Sequence, residues 1–129
     1  MSIYGTPIND SPVVNIKAGA TISAPAFLAV TAGGAVCGAG ALALGIVTPD
    51  CDSAVASGDD LTVQIKDIGT WIAGAAVSAG AELASDANGK AVTATSGDFI
   101  LAIALKAATA AGQRIPVQIC KAGYKPAAS

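Results

Sequence analysis

The sequence predicts an all-β protein: a small barrel or sandwich built from two pseudo-repeated halves, with an extended N-terminal arm. Three observations predict it. Val and Ile together number 22 against 7 Leu, and β-branched side chains are stiff at χ1 and suit a pleated, half-buried surface. Gly or Pro interrupts nearly every stretch before it reaches the roughly 12–15 residues that an isolated helix needs, despite 30 alanines. A segment also recurs: AGATISAPAFLAVTAGG at 18–34 returns as AGAAVSAGAELASDANG at 73–89, with ten of 17 positions identical at an offset of 55. Self-similarity at a fixed spacing is the mark of a duplicated structural unit.

The likeness continues along the chain. Leu44-Gly-Ile-Val47 aligns with Leu101-Ala-Ile-Ala104, and Gly58-Asp-Asp-Leu-Thr-Val-Gln-Ile65 with Gly112-Gln-Arg-Ile-Pro-Val-Gln-Ile119. The copies span about 13–66 and 68–121, and the length differences fall in the connecting loops. Within each copy, Ala-Gly followed by Ser-Ala-Pro or Ser-Ala-Gly supplies two tight reversals. An alternating segment comes next (Phe27 to Val30; Leu83 to Ser85) and then a second turn, Thr31-Ala-Gly-Gly34 or Asp86-Ala-Asn-Gly89. Asn88-Gly89 predicts a type I′ hairpin, which needs φ > 0 at both central residues. Longer apolar strands are expected at Leu42–Val47 and Phe99–Leu105, with closing strands at Leu61–Lys66 and Ile115–Lys121. Helix is expected for at most a turn or two, in the connections Asp50–Ser57 and Lys106–Ala111. Neither half holds enough large apolar residues to stand alone, so the two form one domain over 13–121. Outside it lie residues 1–12 and a frayed tail, 122–129.

Composition excludes several functions. With no histidine, Ser-His-Asp, Cys-His and His-rich metal chemistry is absent. Seven basic residues against nine acidic, and five aromatics in all, provide neither a basic stripe nor a stacking platform for nucleic acid. Mean hydropathy is +0.61, and no charge occurs from Ala18 to Pro49. That run is broken by Pro25 and six glycines and is rich in alanine, so it is not expected to span a membrane. The first residues lack a basic and apolar leader pattern, which predicts synthesis in a cytoplasm. Charged residues make up only 12%, low for a surface that faces water throughout, and this points to burial against a partner or further copies.

Motifs of site chemistry are sparse. Cys37, Cys51 and Cys120 have no CxxC spacing and read as reduced, core-type thiols. Gly38-Ala-Gly40 and Gly89-Lys-Ala91 lack the further residues of nucleotide-binding loops. Asp50, Asp52, Asp59, Asp60 and Asp67 match no calcium-loop spacing and read as solvated loop charges. No catalytic, cofactor or metal residue is expected. Trp71, the single tryptophan, reads either as a core anchor between the halves or as an interface hot spot. Residues 1–12 read either as an unstructured end or as an arm that anchors on a neighbour through Ile3, Tyr4, Pro7 and Ile8.

The repeated AGxxxSAxAxLA segments, the stretch Ser85-Asp-Ala-Asn-Gly-Lys-Ala-Val92 and the closing Gly-x-x-[IL]-x-Val-Gln-Ile resemble the cement (decoration) proteins of tailed-phage capsids, short chains rich in Ala and Gly. The likeness covers about 13–120, and Ala73–Val92 carries it best; the first copy departs, with Pro25 in place of the second glycine and no Gly-Lys after its turn. The resemblance implies a virion protein on the outer surface of an icosahedral shell, bound to the major capsid protein. It also implies a homotrimer at three-fold or quasi-three-fold positions that bridges neighbouring subunits, with no catalytic or cofactor residues. Two other readings compete: another virion shell or tail-tube subunit, and a biotinyl- or lipoyl-type carrier with Lys90 modified. For the carrier, the flanking signature around the lysine is absent.

Overall fold

The computed structural model describes residues 12–49 and 53–126, and the first half of the chain forms one antiparallel sheet while the second forms another. The first sheet contains β1 (Val13–Lys17), β2 (Ala29–Val30), β3 (Gly45–Val47) and β4 (Asp60–Gln64), in the order β1-β4-β3-β2. The second contains β5 (Asp67–Ile72), β6 (Glu82–Ser85), β7 (Ala91–Thr93), β8 (Phe99–Ala104) and β9 (Arg114–Tyr124), in the order β5-β9-β8-β6-β7. With β7 set aside, the second order repeats the first. Corresponding backbone bonds close the two halves: Gly58 N–H donates to Ala18 O at 2.7 Å, and Gly112 N–H to Ala73 O at 2.8 Å. Isolated bridges join Ile22 to Val55 and Val77 to Ala108. The architecture is a small all-β sandwich.

The strands follow from alternation. In β4, Leu61 and Val63 are fully buried while Thr62 and Gln64 are partly exposed, as a period of two requires. β9 begins the same way, with Ile115 and Val117 inward. Pro116 lies between them in an interior strand, where the lack of an N–H usually breaks a ladder. It is tolerated because β8 ends beside it: the last pair is Ala104 with Val117, and Pro116 only accepts, from Leu105 N–H at 3.0 Å.

The core joins the halves. Its main cluster combines Ala29, Cys37, Ala43 and Ile46 of the first half with Trp71, Leu83, Leu101 and Val117 of the second. A smaller cluster of Val30, Val47, Leu61 and Val63 belongs to the first sheet alone. At the junction, the Gly89 carbonyl receives two donors, Trp71 Nε1 at 2.9 Å and Ala29 N–H at 2.8 Å, one from each half. Gly89 sits at φ +76°, and a Cβ there would lie 2.8 Å from Ala29 O, so close approach and backbone conformation both require glycine.

Several expectations are corrected. No helix occurs among the described residues; Val55 and Ala108, in the connections expected to coil, make the β-bridges instead. β3 is shorter than Leu42–Val47 because the preceding loop crosses to the other sheet, where Gly40 N–H donates to Ser85 O at 2.9 Å and Gly40 O accepts from Phe99 N–H at 3.0 Å. The Asn88-Gly89 turn is a hairpin but not type I′, since only Gly89 has positive φ. The Asp86 carboxylate takes the N–H groups of Asn88 at 2.8 Å and Lys90 at 2.9 Å, which stabilises a five-residue loop with glycine at its left-handed position. The tail expected from 122 is strand as far as Tyr124. There β9 pairs with Phe99 and Ile100, Tyr124 packs edge-on against Phe99 at 5.0 Å, and Lys125 bonds Glu82 at 2.7 Å. No helix among the described residues is long and apolar enough to cross a membrane.

Candidate partner-binding surface

The residues expected to bind a partner divide two ways. Ile3, Tyr4, Pro7 and Ile8 lie outside the described residues. Trp71 is corrected: its side chain is 0% exposed, with its single polar atom bonded to Gly89 O, so it offers no surface to a partner. A large aromatic with one N–H is stable inside when that N–H is met, and here it is. Lys90, the carrier-type lysine, stands at the end of the Asp86 loop beside the junction.

That junction opens into a groove of about 740 Å³. Thr21, Ile22, Ser23, Phe27 and Leu28 form its wall from the first half, and Asn88, Lys90 and Arg114 its wall from the second. The two walls come from segments more than 40 residues apart in sequence, and the Gly89 junction brings them together. Phe27 has φ +65°, rare for a bulky side chain. Its N–H donates to Val47 O at 3.0 Å and its carbonyl accepts from Ile72 N–H at 3.3 Å, so both sheets hold the strained residue in place. The Arg114 guanidinium lies over its ring, 4.4 Å from the centroid, a cation–π contact that does not use the N–H donors, and among the described residues the guanidinium makes no ion pair. Sequence reasoning singled out neither Phe27 nor Arg114. Arg114 follows Gly112-Gln within a copy boundary, but nothing in the chain signals that it faces residue 27.

Elsewhere the charges are local. Asp60 pairs with Lys17 at 2.6 Å on the exposed side of β1 and β4, and the Asp59 carboxylate caps Ala56 N–H at 2.8 Å. Among the described residues, no three His, Cys, Asp or Glu side chains come together as a metal site would require. Cys37 is buried, its thiol donating toward Ala41 O at 3.3 Å, and burial pushes that thiol above its ordinary pKa. Cys120 is exposed, and partial desolvation raises its thiol too. Apolar side chains that do face water include Leu42, Ile68, Leu105 and Tyr124.

Fold and groove together define a small all-β module made of two sheets with a mixed polar and apolar cleft at their junction. The chain belongs to the phage cement protein family, whose model matches residues 13–119, nearly the whole β body. It is therefore a structural protein of the phage capsid. A solved structure with the same fold is the N base of the head fiber gp8.5 of bacteriophage phi29, at 18% identity and a TM-score of 0.64, covering 88% of this chain and 97% of that one. No curated protein matches the sequence closely enough to count as a relative.

Proposed function

We propose that this chain decorates the outer surface of an icosahedral phage head and stabilises it by bridging neighbouring major capsid protein subunits. It does so as a homotrimer at three-fold or quasi-three-fold positions after synthesis in the host cytoplasm. The observation that carries the reading is the family match across 13–119, which coincides with the folded body rather than with a fragment of it. Sparse charge and the exposed Leu42, Ile68, Leu105 and Tyr124 support contact with other subunits. Symmetric attachment multiplies weak contacts into a strong hold without any single deep site. Residues 1–12, with Ile3, Tyr4, Pro7 and Ile8, serve as the docking arm, and it joins the body at Pro12, whose carbonyl accepts Ile65 N–H at 2.8 Å.

Imaging heads that lack the chain, before and after adding it back, tests the reading. Added density is expected on the outside of the shell at three-fold positions, together with DNA release at a higher temperature. Density along a tail, or heads that release DNA at the same temperature with and without the chain, would overturn it. A chain lacking residues 2–12 is expected to fold and to leave the heads bare; full occupancy by that chain would remove the arm from the mechanism.

A further inference from the structure

The groove at the junction carries a charge pattern that the body itself does not use. Lys90 and Arg114 are its two ionic side chains among the described residues, none of which lines it with an acid. Neither cation takes part in an ion pair among the described residues, whereas Lys17 and Lys125 do. Asp86, the acid on the same loop, accepts the backbone N–H groups of Asn88 and Lys90 at Oδ1 and makes no ion pair with the Lys90 ammonium. The Arg114 guanidinium lies over the Phe27 ring, 4.4 Å from its centroid, a contact that narrows its range of positions before any ligand arrives. Beside the cations, Ile22, Leu28 and Val36 provide apolar wall, and Thr21, Ser23 and Asn88 provide neutral hydrogen-bonding groups. A cleft of this size, with apolar wall and fixed polar groups side by side, can seat a ligand that offers both kinds of surface.

We propose that this groove receives an extended segment of the major capsid protein in which a carboxylate side chain is flanked by apolar ones. The carboxylate bonds to Arg114 and Lys90, and its neighbours lie against Ile22 and Leu28. A planar guanidinium with its fork exposed matches a carboxylate in two parallel bonds, a geometry that a point charge cannot reproduce. Two cations are too few for a nucleic-acid backbone, which is gripped by rows of phosphate contacts. The arm of a second copy is a poor fit, because its one acid, Asp10, is flanked by Asn9 and Ser11 rather than by apolar side chains. The proposal rests on the reading that the chain binds a capsid, and it names the contact that the body, as distinct from the arm, makes there.

The test measures binding of the full chain to heads that lack it, for wild type, Arg114→Gln, Arg114→Lys, the double variant Lys90→Gln/Arg114→Gln, and Lys106→Gln as a charge control remote from the groove. Folding of each is checked by circular dichroism. The double variant is expected to bind at least about tenfold more weakly, the cost of losing charge-assisted bonds, while Lys106→Gln binds as wild type. Arg114→Lys recovers only part of the loss, and the gap between wild type and double variant narrows as salt is raised. A double variant that binds within about twofold of wild type overturns the proposal while the capsid reading stands. Wild type that fails to bind any head overturns the capsid reading instead. A capped peptide alternating Val and Asp, titrated into the 15N-labelled chain, then decides the groove alone. Amide shifts at Phe27, Asn88 and Arg114 that an Asn-substituted peptide does not produce uphold it. No such shifts, or the same shifts from a DNA duplex alone, end it.

Discussion

Trp71→Phe separates a tryptophan that holds the body together from one that holds a partner. The indole is fully enclosed, and its N–H reaches the carbonyl that also receives Ala29 of the other half. Phenylalanine keeps most of the ring but loses that hydrogen bond, worth about 1 kcal/mol. The smaller ring also leaves a void and forfeits apolar burial, together about 1–2 kcal/mol. The Gly89 carbonyl keeps its Ala29 donor, so no buried acceptor is orphaned and the total stays near 2–3 kcal/mol. For a domain of this size that is a fall in Tm of roughly 7–12 °C. Urea unfolding followed by far-UV circular dichroism is the assay, since the substitution removes the single tryptophan of the chain. The midpoint should drop with an unchanged slope. A loss below about 0.5 kcal/mol, accompanied by weaker attachment to heads, would mean that Trp71 works at an interface, and the argument for its burial would be wrong.

Three further outcomes follow from the junction and the end of β9. Gly89→Ala is expected to cost about 2 kcal/mol or more, left-handed strain of about 1–2 kcal/mol plus the contacts with Ala29 O and Val36. Gly80→Ala, at φ +82° with open space around it, should cost the strain alone, and equal losses for the two in thermal melts would refute a tight junction. Ending the chain after Ala122 removes the pairing of Gly123 and Tyr124 with β8, the Phe99–Tyr124 ring contact and the Lys125–Glu82 ion pair. About 1–3 kcal/mol should be lost, and an unchanged Tm would restore the frayed tail. Lys121 lies against Ala43, Ile46, Leu101 and Ile119, and burial lowers its pKa from the ordinary lysine value. The unfolded chain then binds that proton more tightly, so stability rises with pH between the folded value and about 10.5. Lys121→Met is expected to stabilise by about 0.5 kcal/mol at pH 7. Its advantage should shrink as the pH climbs through that window; a gain that does not depend on pH would assign the effect to packing alone.

What could be read from the chain was whatever local pattern decides. Leu61 and Val63 in β4, and Ile115 and Val117 in β9, alternate cleanly, and their strands were placed within a residue or two at their starts. Phe99–Ala104 reads as a continuous apolar run because both its faces are covered or half-covered. The pattern does not single out β1 and β5, whose partners β4 and β9 lie far along the chain, or β7, which at three residues is too short to show an alternation. At the hairpin, the dipeptide Asn88-Gly89 suggested one turn type, and the Asp86 carboxylate, two residues earlier, selected another. The end of β9 was hidden for a similar reason. Between the pairs Ile100 with Gly123 and Ala102 with Ile119, residues 120–122 face Leu101 alone, and Lys121 takes φ +45°. That bulge disrupts the alternation that would have announced a strand reaching Tyr124.

The groove was illegible for a deeper reason: each half supplies one of its walls. Thr21 to Leu28 contribute aromatic and apolar surface, Lys90 and Arg114 contribute charge, and the Gly89 carbonyl fixes the distance between them. Neither wall is a motif, because neither is a site alone. The same division has an energetic consequence. A ligand seated in the groove touches both halves, so it binds only while the sheets stay joined, and its binding free energy adds to the stability of the junction. Phe27 marks where the two demands meet. Its unfavourable φ persists because Val47 of one sheet and Ile72 of the other both bond its backbone, and it is the ring on which Arg114 is presented. If the groove grips the shell, attachment also reinforces the contact that holds this small body together, and the chain is most stable where it is used.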